Sequence, residues 1–272
     1  MIPYLNRLLS DRTGDTVFRC FDVWHLSYIA VTAAVIAAVC LALRKSGPEA
    51  KEKVQRSFIN MAFGLYVLDL FLMPFAYGEI DVEKLPFHIC TAMCVGCFAT
   101  CHAPSLKGMR VHFALLGFIS NLVYLIYPAG VMWHRVSPFS YRVIQTLAFH
   151  AIMTVYGLLT LIYNREKLRP KELYKDMILI TAMTLWAMLG NFFYSDSLDP
   201  YSPRYNWFFV TADPFGILKG NVALIVMPLV NVALFFAVTV LIYCVFALIR
   251  KIEDNRRVNK REYSETFRER PK

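Results

Sequence analysis

Seven apolar runs, each about 17–29 residues long, constrain this chain more than any motif in it, because each can cross, or nearly cross, ~30 Å of hydrocarbon as a helix rising ~1.5 Å per residue. They are Val23–Leu43, Ser57–Tyr77, Leu85–Cys101, Arg110–Pro128, Ser140–Tyr163, Leu173–Tyr194 and Asn221–Ile249. With 272 residues, 57% of them hydrophobic, and a mean hydropathy of +0.44, the chain carries more apolar surface than one soluble core can hide. The expected fold class is all-α, a polytopic membrane protein with seven transmembrane helices. The expected organisation is an outer interfacial segment at 1–22, a transmembrane domain at 23–249 and a basic cytoplasmic tail at 250–272, the last charged enough to be partly disordered.

Segments 44–56, 102–110, 164–175 and 250–272 hold 21 of the 29 lysines and arginines. By the positive-inside rule they face the cytoplasm, which puts the N-terminus outside and the C-terminus inside. The net charge of +9 follows from this asymmetry and from the attraction of basic flanks to anionic lipid, so nucleic acid is not expected as a partner. A multi-pass protein of a cell membrane, read as the bacterial plasma membrane, touching membrane phospholipids and needing no cofactor and no obligate protein partner, is the resulting expectation.

The chemistry concentrates in Leu85–His102, LPFHICTAMCVGCFATCH, read as a helix opening at Pro86. Its Cys90, Cys94, Cys97 and Cys101 fall at i, i+4, i+7 and i+11, on one face, which must look into protein. Counted inward from the outer end of each span at ~1.5 Å per residue, Asp69, Cys90, Cys94, Asn121, His150 and Asn231 all fall ~8–15 Å deep, with His88 and Asn191 slightly shallower. The inner halves of the spans read as nearly featureless. Polar groups in hydrocarbon cost several kcal/mol unless they face the bundle, so this layer should line one pocket. Tyr124 ends the fourth span beside Asn121. Asn206 sits in the aromatic segment 195–220, expected to pack over the outer mouth as a lid or re-entrant piece.

Each member also has a structural reading: Asp69 as a hydrogen-bonded acid, the cysteines as small packing residues, the asparagines as glue between helices. The catalytic reading makes Cys90 a nucleophile, His150 the base that generates its thiolate, and Asp69 the carboxylate that orients the ring. His88, Cys94, Asn121, Tyr124, Asn191, Asn206 and Asn231 then line the substrate pocket. A metal is a weaker candidate, since two ligands at i, i+4 on one helix do not make a zinc signature. Solute binding in a transporter or ligand sensor is the non-enzyme alternative.

The combination of LPFHIC, FISNLVYLIYP, LAFHAIMTVYG, GNFFY and YNWFFVTADPFG resembles the YwaF-like integral membrane family of bacteria. That family is similar to a eukaryotic transmembrane acyltransferase that moves fatty acyl chains among phospholipids through a cysteine. The resemblance implies acyl transfer with Cys90 as nucleophile and His150 as base. In the eukaryotic branch the cysteine immediately precedes the motif histidine; here that position is Phe87, and Cys90 follows His88 by two residues.

Overall fold

A computed structural model describes residues 16–77, 82–133, 135–194, 206–211, 213, 217, 218 and 220–268. Residues 1–15 of the expected outer interfacial segment, and most of segment 195–220, lie outside the described residues. All seven apolar segments are helical, in the order α1 (Val23–Ala42), α2 (Pro48–Tyr77), α3 (Ile89–His102), α4 (Arg110–Ile126), the short α5 (Ala129–Trp133), α6 (Tyr141–Tyr163), α7 (Leu173–Tyr194) and α8 (Asn221–Arg268). Among the described residues, five helical stretches are long and apolar enough to cross a membrane: Val23–Ala42, Pro104–Met132, Tyr141–Tyr163, Pro170–Tyr194 and Asn221–Glu253. Ile89–His102 is a shorter apolar helix, too short to reach that length by itself.

Two local rules set the helix starts. Asp22 accepts a hydrogen bond from the His25 N–H at 2.7 Å to cap α1, and Ser140 caps α6 through the Val143 N–H. In α3 the outcome differs from the sequence expectation. The helix begins at Ile89 rather than at Pro86, because His88 takes the extended conformation of an N-cap and the Phe87 N–H turns back onto the Leu85 carbonyl. That correction moves Cys90 from inside the helix to its first turn.

Helices α4 and α6 form the centre. A Cβ on Gly157 of α6 would stand 2.7 Å from Phe118 and 3.0 Å from the Ala114 carbonyl, so only glycine admits this approach of the two backbones. Around them α1, α7 and α8 turn Val31, Leu41, Ile178, Leu185, Ile225 and Leu241 outward, the surface a lipid-facing helix presents. Cys94, Cys97 and Cys101 are buried with Ile59, Met153 and Tyr156, which fits the one-faced cysteine stripe. Helix α8 runs on to Arg268, so the tail expected to be partly disordered from residue 250 is helical there. Its Arg, Lys and Glu residues are good helix formers, and propensity carries the helix out of the apolar span.

The halves of the helices expected to face the cytoplasm are not featureless. Arg110 donates to both Glu52 oxygens at 2.6 and 2.7 Å and to Gln55 at 3.2 Å, and Thr160 donates to the same Gln55 oxygen. Asp176, wholly buried, joins His112 to Tyr243. Sequence depth counting missed both clusters because Arg110, His112 and Asp176 stand close to helix ends, where a charged residue reads as an interfacial flank.

Candidate functional site

The organiser of the outer layer is Lys84, a residue that reads in sequence as part of an acidic outer turn. It ends the short 3-10 turn Val82–Lys84 between α2 and α3, and its Nζ lies 2.9 Å from Asp69 Oδ2. Tyr66, one turn before Asp69 on α2, donates its hydroxyl to the Lys84 carbonyl at 3.0 Å and so holds the turn down. The ammonium is also an electrostatic neighbour of His88, Cys90 and His150. One cation therefore has four of the expected residues as electrostatic neighbours, Asp69 in direct contact with it. The signal available in sequence was a lone lysine among Glu79, Asp81 and Glu83, directly ahead of the cysteine helix and opposite an intramembrane aspartate.

Cys90 is partly buried, two residues into α3. The first ladder bond of this helix is donated by Ala92 to the His88 carbonyl, and the His88 side chain does not cap the helix. The N–H groups of Ile89, Cys90 and Thr91 precede the ladder, and those of Cys90 and Thr91 are neighbours of the Cys90 sulfur. Helix-N-terminal N–H groups and a nearby ammonium are groups that stabilise a thiolate once one forms. Cys94 is fully buried one turn deeper.

His150 is buried in α6, stacked on the Tyr124 ring at 3.8 Å between centroids, with His88 as a further neighbour. Its Nδ1 has no hydrogen-bond partner among the described residues. Asp69 is committed to Lys84 through one oxygen, while the other lies near the Tyr141 phenol without closing a hydrogen bond. Asn121 donates to the Gly117 carbonyl at 2.7 Å, and its Oδ1 is likewise buried and unmet. Buried polar atoms in folded proteins are nearly always paired, so several unmet acceptors in one layer are the mark of a place that takes a ligand, a proton or water.

The remaining asparagines do something else. Asn191 accepts from the Trp207 N–H at 3.0 Å and donates to the Trp207 carbonyl at 3.1 Å; Asn231 donates to the carbonyls of Phe208 and Phe209 at 2.8 and 3.0 Å. Both phenylalanines have left-handed backbone, φ 58° and 52°, at a cost of roughly 1–2 kcal/mol each. Asn206 closes the turn by accepting from Thr211. The two helices thus clamp a strained aromatic turn whose Trp207 and Phe208 are buried against Phe87, Tyr194 and Phe235. Within the described residues, the part of segment 195–220 seen is packed into the bundle, as the lid reading expects.

A family profile covers residues 20–250, from just before α1 to within α8. The chain belongs to the TMEM164 family. This is a family of transmembrane proteins, and with its several apolar helices the chain is a multi-pass integral membrane protein. No curated protein and no solved structure matches it. The TMEM164 match contains every residue of the outer layer, from Tyr66 to Asn231.

Proposed function

We propose that this TMEM164-family protein is a phospholipid acyltransferase or acyl hydrolase that works through Cys90 and His150, with seven transmembrane helices, the N-terminus outside and the C-terminus in the cytoplasm of a bacterial plasma membrane. The observation that carries the reading is the position of Cys90: a thiol in the first turn of a helix, among free N–H groups, at the level where Lys84, His88 and His150 converge.

The chemistry runs as follows. His150 takes the thiol proton, and the Cys90 sulfur attacks the ester carbonyl of a phospholipid acyl chain entering from the outer leaflet. The carbonyl oxygen becomes an oxyanion facing the N–H groups of Cys90 and Thr91, a donor pair suited to that charge. Collapse breaks the C–O bond; the lysophospholipid alkoxide leaves with the proton from the imidazolium, and the acyl group remains as a thioester. A second alcohol, or water, gives its proton to His150, attacks the thioester and releases the Cys90 thiolate, which is reprotonated. Lys84 ties Asp69 to this centre through their ion pair, so Asp69 acts on the pocket through Lys84. Asn121, Tyr124, His88 and Cys94 bound the chain; Asn191, Asn206 and Asn231 act by holding the aromatic turn over it.

Solute binding by the same polar layer remains the alternative activity, and the two differ in one observable. Purified protein incubated with an alkyne-tagged phospholipid should acquire label that hydroxylamine removes, as a thioester requires. Absence of label on cysteine in an active membrane preparation would reject the acyl-enzyme reading and leave ligand binding.

A further inference from the structure

We propose that a cleft at the inner ends of α4 and α7 is a second ligand site, which binds a phosphate-bearing anion against His112. It has a volume of about 290 Å³ and lies between the start of α4 and the loop that joins α6 to α7. Its floor is a buried relay across three helices. His112 Nδ1 lies 3.0 Å from one oxygen of Asp176, and the other oxygen accepts the Tyr243 hydroxyl at 2.6 Å. His112 is 3% exposed, Asp176 0% and Tyr243 5%, so the ring is held in one orientation by a carboxylate with no freedom left. Its second nitrogen, Nε2, has no hydrogen-bond partner among the described residues, and His112 lines the cleft.

The rim is built rather than loose. Arg250 of α8 donates to the carbonyls of Arg165 and Leu168 at 2.7 and 2.8 Å, and Arg165 pairs with Glu253 at 2.7 Å. The rim brings Lys167, Arg169, Lys171 and Lys175 to the cleft against Glu166 and Glu172. Lys175 is committed to Glu172. Arg169 folds its Nε–H onto the Glu166 carbonyl. Lys167 and Lys171 are exposed and have no ion-pair partner among the described residues. The cleft therefore combines surplus positive charge with one fixed imidazole nitrogen.

A phosphate group meets both: its anionic oxygens accept from the lysines, and it can offer Nε2 either an acceptor oxygen or a P–OH proton. The site stands where apolar helices end, at the depth of lipid phosphates, so the source is a phospholipid headgroup or a soluble phosphate compound. This proposal is independent of the acyl-transfer reading, since none of its residues belongs to the outer layer.

The test uses the full chain. In one arm it is reconstituted in vesicles of phosphatidylcholine doped with phosphatidic acid, and the co-purifying lipid is weighed by native mass spectrometry. In the other arm inorganic phosphate is titrated into protein in phosphatidylcholine nanodiscs. Phosphatidic acid retained above its bulk share, and reduced about fivefold or more by the double variant Lys167→Gln/Lys171→Gln and by His112→Gln, identifies a headgroup site. Phosphate binding without lipid enrichment, lost in the same variants, identifies a soluble ligand. Neither form of binding, or binding that Lys167→Gln/Lys171→Gln leaves unchanged, overturns the proposal. If His112→Gln fails to fold, the lysine pair alone decides, because both residues are exposed; a folded His112→Gln that binds as the parent does also overturns it.

Discussion

Around Asp176 both carboxylate oxygens are spent, one toward His112 and one on Tyr243, and Gln55 accepts from two donors at once with Arg110 Nε left over, whereas around Lys84 the atoms His150 Nδ1, Asn121 Oδ1 and one oxygen of Asp69 close no hydrogen bond among the described residues. His25 sharpens the contrast. It is buried completely in α1, and both ring nitrogens are occupied, Nδ1 by the Phe21 N–H and Nε2 by the Leu125 carbonyl. Burial by itself therefore does not distinguish a working histidine from a structural one. The difference lies in whether the ring's hydrogen-bonding capacity is used up inside the fold, since a satisfied network stabilises and an unsatisfied one has to be completed from outside.

This contrast can be broken by mutation. The largest effect is expected at Cys90: Cys90→Ser should remove acyl labelling altogether, and His150→Gln should slow it about 10²–10⁴-fold, the usual share of a general base. Neither should move the thermal midpoint much, because neither side chain completes a hydrogen-bond network. A large loss of stability in both would make them structural after all. Next comes Asp176→Ala, which strands His112 and Tyr243 and should cost ~3–5 kcal/mol in detergent unfolding. If it proves as mild as His150→Gln, the inner network is not the stabilising half.

Asn231→Ala removes two donors from strained carbonyls and should cost ~1–3 kcal/mol, together with faster proteolysis near Trp207. Unaltered proteolysis would mean that the aromatic turn holds without its clamp. The smallest change is expected at Cys97, fully buried but without a role in the layer. Cys97→Ser should leave labelling intact and cost ~1 kcal/mol from burying a hydroxyl. Loss of label in Cys97→Ser would move the chemistry down the stripe and out of the first turn of α3.

Most of the architecture could be read from local properties. Apolar length located all seven helices, though α2 begins nine residues before Ser57 and α8 runs nineteen past Ile249, and the i, i+4, i+7, i+11 spacing of the cysteines put Cys94, Cys97 and Cys101 on the buried face of α3. Where local reading failed, the cause was local too: His88 taking the N-cap conformation shifted the start of α3 by three residues. Depth counting expected Asp69, Cys90 and His150 at one level, and each of the three has Lys84 as a charged neighbour.

What no single segment could decide was which polar group meets which. Lys84 lies 15 positions from Asp69 in sequence and closes an ion pair with it only because a 3-10 turn folds back over α2. His112 and Asp176 are 64 residues apart, and Asn231 reaches Phe208 across 23. Those pairings depend on how each helix is rotated about its axis and how far it slides along its neighbour. Such variables leave apolar length and charge asymmetry unchanged, so they enter only through side-chain packing between helices, as where Gly157 lets α6 touch the backbone of α4.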